Sequence, residues 1–106
     1  MQQYSEALRV DPDDALMHER LGIELAKKGK FDEAVTHFRE GLRINPKSSS
    51  MHNNLGKALE AQNKLDAAIK EYQESLRLQP DDAVTHNNLG VAVARSGRLE
   101  EAIKHF

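Results

Sequence analysis

Residues 52–56 read His-Asn-Asn-Leu-Gly, the same five residues return at 86–90, and His-Glu-Arg-Leu-Gly stands at 18–22. Each copy lies 34 residues from the next, and so do the chain's three prolines, Pro12, Pro46 and Pro80. Sliding the sequence on itself by 34 pairs 72 positions, of which 26 are identical, against roughly one in fifteen expected from ordinary composition. The same phase aligns Ala34, Ala68 and Ala102, the rings Phe38, Tyr72 and Phe106, and the leucines Leu8, Leu42 and Leu76. A fixed period of this length marks a repeat architecture, in which each unit buries its apolar face only by stacking on its neighbours.

Within a unit the apolar spacing is helical. Leu21 and Leu25 lie one turn apart with His18 and Gly22 on the same stripe, and Ala34, Phe38 and Leu42 recur by fours, whereas strand-like alternation occurs nowhere. Asp13 and Asp14 after Pro12, Ser48 to Ser50 after Pro46, and Asp81 and Asp82 after Pro80 supply capping oxygens where a first helix begins. Gly29, Asn63 and Gly97 interrupt the units at one phase and suit a left-handed turn. A second helix then starts at Phe31, Leu65 and Leu99, with Asp32 and Glu33, Asp66, and Glu100 and Glu101 in its first turn, where the helix dipole favours negative charge. Each unit is a helical hairpin. Gly22, Gly56 and Gly90 are expected to face Ala34, Ala68 and Ala102 across it, with the rings filling the volume between hairpins.

At 106 residues, with 39% apolar and 30% charged residues, the chain is the size of one domain. A formal net charge of −2 gives no polybasic signature of nucleic-acid or membrane-surface binding. The absence of cysteine excludes a disulfide scaffold, a thiolate zinc site and a cysteine nucleophile, and it fits a reducing compartment, making a cytoplasmic location the expectation. The longest aliphatic and glycine run, 89–94, is six residues against the roughly 20 needed to span a bilayer.

The residues resemble the tetratricopeptide repeat. The family's pattern maps onto His18, Leu21, Gly22, Ala34, Phe38, Gly41 and Pro46, then onto His52, Leu55, Gly56, Ala68, Tyr72, Ser75 and Pro80, and begins again at His86, Leu89, Gly90, Ala102 and Phe106. Histidine stands where the family often has tryptophan, and Leu25, Leu59 and Val93 replace a frequent tyrosine. The resemblance implies an all-α, right-handed superhelical solenoid of antiparallel hairpins. The units are placed at 15–48 and 49–82, preceded by a partial repeat at 1–14 holding a second helix and followed by a truncated one at 83–106. Both ends then fall inside second helices, so the chain reads as a slice of a longer array, with head-to-tail self-association through those ends as one expectation.

No chemistry-bearing constellation emerges, and neither a catalytic residue, a cofactor nor a metal site is expected. The column His18, His52 and His86 is spaced by neighbouring helices roughly 8–10 Å apart, too far for imidazoles to share a zinc ion at about 2.0–2.1 Å. These three are assigned packing roles, and His37 and His105 read as surface. The pairs Glu6 with Arg9, Glu40 with Arg43 and Glu74 with Arg77 read as solvated ion pairs.

By the resemblance, first helices line the concave side of the superhelix. The candidate ligand groove is then Glu19, Arg20, Ile23 and Lys27, followed by Asn53, Asn54 and Lys57, and by Asn87, Asn88, Val91 and Arg95. Asn54 and Asn88 share a phase, and an amide that both donates and accepts can hold a peptide backbone. The implied function is a protein-interaction scaffold for a peptide or partner helix. The alternative is a substrate-recruiting segment of a larger enzyme resembling the O-linked N-acetylglucosamine transferases. A clamp for a peptide's terminal carboxylate, another use in the family, is not supported, because Arg20 replaces an asparagine and Val84 carries no charge.

Overall fold

The computed structural model describes residues 13–97, which form five α-helices: α1 (Asp13–Lys27), α2 (Phe31–Ile44), α3 (Ser49–Ala61), α4 (Leu65–Leu78) and α5 (Ala83–Arg95). The helix expected before Asp11, the one expected from Leu99, the Glu6–Arg9 pair, His105 and the two self-associating ends lie outside the described residues.

The boundaries follow from local chemistry. Ser48 caps α3 by accepting from the Met51 amide at 3.2 Å. Asp82 caps α5 by accepting from the Val84 and Thr85 amides at 3.1 and 3.4 Å. Asp13 and Asp14 stand inside the first turn of α1. At the hairpin turns Gly29 and Asn63 adopt φ of 79° and 63°. The following amides, Lys30 and Lys64, close back on Leu25 and Leu59 oxygens at 2.8 and 2.9 Å, the six-to-one bond of a left-handed helix stop. Asp32 and Glu33 in α2 and Asp66 in α4 occupy the first turns as expected.

Adjacent helices pack in chain order, α1 on α2, α2 on α3, α3 on α4 and α4 on α5. Successive first helices also touch, α1 with α3 and α3 with α5, whereas α2 and α4 do not meet. A stack closer together on one side bends towards it, which places α1, α3 and α5 on the inner face. Its dimensions of 58 × 27 × 17 Å and its 15.2 Å radius of gyration describe an elongated body, since a compact domain of 100 residues has a radius of about 13 Å.

The core is layered: Ala34 and Phe38 from α2, Met51, Leu55 and Leu59 from α3, and Ala68, Ile69 and Tyr72 from α4 are buried in sequence. One expectation is corrected. A Cβ on Gly22 would stand 2.6 Å from Phe38 Cε1, and one on Gly56 would stand 2.6 Å from Tyr72 Cε1. It is therefore the ring of the same hairpin, not the alanine, that lies on each glycine. A flat ring can touch a helix backbone only where no Cβ intervenes, which explains how these glycines offset their cost of about 1 kcal/mol relative to alanine. No described atom lies within 4 Å of a Cβ on Gly90, whose phase partner Phe106 is outside the described residues.

Candidate functional site

Among the described residues no three His, Asp or Glu side chains converge as metal ligands would. The histidine column is dispersed: His86 Nε2 donates to Pro80 O at 2.8 Å, and both nitrogens of His52 face acceptors, Glu71 Oε1 at 2.7 Å and Pro46 O at 3.2 Å. The ion pairs expected on second helices are present, Arg43 Nε donating to Glu40 Oε1 at 2.8 Å and Arg77 Nε to Glu74 Oε1 at 2.9 Å.

His37 is not a free surface residue. Its Nδ1 lies 3.0 Å from Nδ1 of His18, because the hairpin register sets these phases opposite each other, as it does His52 and Glu71. One proton bridges the two nitrogens, and two protonated rings would repel. Burial, and next the charge of His37, hold the His18 imidazole below its ordinary value; Arg43 acts in the same direction and Glu40 and Asp14 oppose. The sign follows from linkage. Just below the free imidazole value the unfolded chain takes up a proton that the folded His18 refuses, so stability declines as pH falls through that window. His37→Glu copies the His52–Glu71 pairing; it leaves the burial contribution but replaces the neighbouring positive charge with a carboxylate that favours the protonated imidazole, so the penalty shrinks. Between pH 7.5 and 5.5 the melting temperature of the native chain is expected to drop further than that of His37→Glu, and equal drops would contradict the assignment.

Polar side chains of the inner face bridge one first helix to the next. Glu19 Oε2 accepts from Ser50 Oγ at 2.6 Å and from Asn54 Nδ2 at 3.4 Å. Asn88 Nδ2 donates to Asn53 Oδ1 at 3.0 Å, and Arg95 Nη1 to Glu60 Oε2 at 2.8 Å. Asn54 and Asn88 thus each direct an amide nitrogen to a neighbouring first helix, and Arg95 is committed to a carboxylate. Tyr72 donates its hydroxyl to the other Glu60 oxygen at 2.8 Å; burial, then this bond, keep the phenol protonated far above its ordinary range.

Between α1 and α3 the inner face opens into a cleft of about 280 Å³, lined by Ile23, Ala26, Lys27, Phe31, Phe38, Asn54, Lys57 and Ala58. Four expected groove residues meet there, Ile23, Lys27, Asn54 and Lys57. Arg20 lies on a separate shallow concavity with Leu16, Met17, Leu21 and Glu24. Asn87 is exposed and Val91 is 46% exposed, both on α5. The lining residues Phe31, Phe38 and Ala58 escaped sequence reasoning because Phe31 and Phe38 belong to a second helix and the phase of Ala58 reads as core. Electrostatically the face is asymmetric: Glu19 and Glu60 are satisfied within it and Glu24 lies 3.8 Å from Lys27. Arg20 and Lys57 form no ion pair among the described residues.

The sequence matches the tetratricopeptide repeat over residues 2–49, 20–83 and 53–106. The chain belongs to the tetratricopeptide repeat family. Among solved structures it is similar to a mutant of MamA, with a TM-score of 0.80 and 29% identity over 95% of this chain and 74% of that one. It is also similar to the first tetratricopeptide repeat domain of Spaghetti (RPAP3) bound to the HSP90 peptide SRMEEVD, with a TM-score of 0.80 and 26% identity over 90% of this chain and 77% of that one. No curated protein sequence matches the chain. The stack of two-helix units described above is therefore a tetratricopeptide repeat array, and its place in that family is that of a protein-interaction module. No helix among the described residues is long and apolar enough to cross a membrane.

Proposed function

We propose that the chain acts as a scaffold that holds an extended acidic peptide against the inner face of α1, α3 and α5. The observation that carries this reading is the charge balance of that face. Glu60 and Glu24 face the cations Arg95 and Lys27, and Glu19 is held by the neutral donors Ser50 and Asn54, while Lys57 and Arg20 have no acidic partner among the described residues and flank apolar surface. An incoming carboxylate would meet cations that are not already neutralised, and complementarity of this kind governs encounter rate and specificity. The structural relative's peptide, SRMEEVD, is itself rich in acidic residues. Recognition here does not centre on a terminal carboxylate, because Leu16, Arg20 and Val84 do not supply the clamp. Preorganisation favours the same role, since stacked hairpins present the surface without a folding step.

Panning a random peptide library on the full chain tests this. Enrichment of net-negative sequences is expected, with affinity falling about tenfold or more for Lys57→Glu as a favourable contact becomes a repulsive one. Enrichment of basic sequences, or unchanged affinity in Lys57→Glu, would contradict the proposal.

A further inference from the structure

The 34-residue period relates two clefts on the inner face, one between α1 and α3 and one between α3 and α5, yet their contents differ. Of the positions that differ between them, three act together: Glu60 stands in place of Ala26, Tyr72 in place of Phe38, and Arg95 in place of Ala61. In the second cleft these residues find one another. The Tyr72 hydroxyl and the Arg95 guanidinium donate to the two oxygens of Glu60, each at 2.8 Å, and the Glu60 side chain is only 13% exposed. In the first cleft the matching positions hold a methyl, a bare phenyl and another methyl, and the space stays open at about 280 Å³.

We propose that the cleft between α1 and α3 is the side-chain pocket of the interaction surface and receives a bulky aliphatic or aromatic residue from an acidic peptide, while Tyr72, Glu60 and Arg95 latch its repeat-related counterpart shut. The inference rests on the reading that the inner face holds a peptide, and it adds where and by what residue that peptide is anchored. The volume lies just below the roughly 300–1,000 Å³ of sites for whole small molecules and suits a single large side chain. Ile23, Ala26 and Phe31, each partly exposed, offer that side chain an apolar wall over the buried Phe38 and Ala58. Lys57, which has no acidic partner among the described residues, lines the cleft and favours acidic residues beside that side chain over basic ones, whereas Lys27 already faces Glu24. A small residue would leave the pocket unfilled. The latched cleft gives no such return, since entry would strip a buried carboxylate of its two donors.

The test uses the isotope-labelled full chain titrated with acetylated, amidated pentapeptides Glu-Glu-X-Glu-Glu, followed by amide chemical shifts. With X as Leu or Phe, shifts centred on Ile23, Ala26 and Ala58 are expected, with affinity at least about tenfold above that for X as Ala. Copying the latch with Ala26→Glu, Phe38→Tyr and Ala61→Arg is expected to abolish the preference for a large X, and the added glutamate and arginine leave the net charge of the face unchanged. Removing the original latch with Glu60→Ala, Tyr72→Phe and Arg95→Ala is expected to add shifts at Val91 and Ala92. Shifts spread evenly along α1, α3 and α5 and indifferent to X would overturn the pocket assignment while leaving peptide binding intact. No shift with any peptide would overturn both. The two variants act in opposite directions, so failure of one to fold leaves the other decisive.

Discussion

Gly56→Leu is expected to destabilise the array by about 3 kcal/mol or more and to abolish its cooperative melt. Overpacking a filled site already costs about 1–3 kcal/mol, and here the first added atom alone would stand 2.6 Å from a Tyr72 ring that is fully buried. That ring cannot step aside cheaply, because its hydroxyl is held by Glu60. Gly56→Ala meets the same ring with less bulk, and its gain in helix propensity, about 1 kcal/mol, offsets part of the strain. Urea unfolding followed by circular dichroism checks both, and a native-like midpoint for Gly56→Leu would refute the assigned contact.

Tyr72→Ala is expected to cost about 3–5 kcal/mol, the usual range for emptying an aromatic site in a core. Tyr72→Phe keeps the ring and loses only the bond to Glu60, for about 1.5–3 kcal/mol, since a hydrogen bond to a charged group contributes more than a neutral one. The pair separates packing from hydrogen bonding. Combining Tyr72→Ala with Gly56→Leu supplies a cross-check: the leucine enters the volume the ring vacated, so the double variant is expected to be more stable than the sum of the singles by over about 1 kcal/mol, as for residues in direct contact. Strict additivity would mean that the ring and the glycine do not touch.

Much of the architecture was legible because the determinants are local. Capping oxygens at Ser48 and Asp82, positive φ at Gly29, Asn63 and Gly97, and first-turn acids at Asp32 and Asp66 each act within one turn of helix, and the period repeats them. What escaped depends on how helices face one another. Ala34 and Phe38 stand one turn apart on the same stripe, and spacing alone does not say which of them meets Gly22; the crossing of α1 and α2 decides for the ring. His37 sits among polar neighbours in sequence, yet hairpin register brings it to His18. Leu21 shares its phase with Leu55, but Leu55, on the central helix α3, is 1% exposed, while Leu21, on the first described helix, is 43% exposed.

The groove shows the same division. Phase alone brings four of the eleven candidates, Ile23, Lys27, Asn54 and Lys57, to one cleft, and it misses the lining residues Phe31, Phe38 and Ala58. The groove's working asymmetry did not follow from phase, because comparing repeats draws attention to positions that agree, whereas the cleft is opened by positions that differ, Ala26 against Glu60 and Ala61 against Arg95. Arg95 shares the inner face with Lys57, but its charge is spent on Glu60 across 35 residues of chain, a pairing that no single-helix spacing reveals.

The central claim is that polypeptide is gripped on the inner face formed by α1, α3 and α5. A photo-crosslinking residue placed at Ala61 on the inner face of α3, or at Lys70 on the exposed side of α4, tests it most directly with the acidic leucine pentapeptide. The account predicts covalent capture from position 61 and none from position 70. Capture from position 70 with none from position 61 would contradict it.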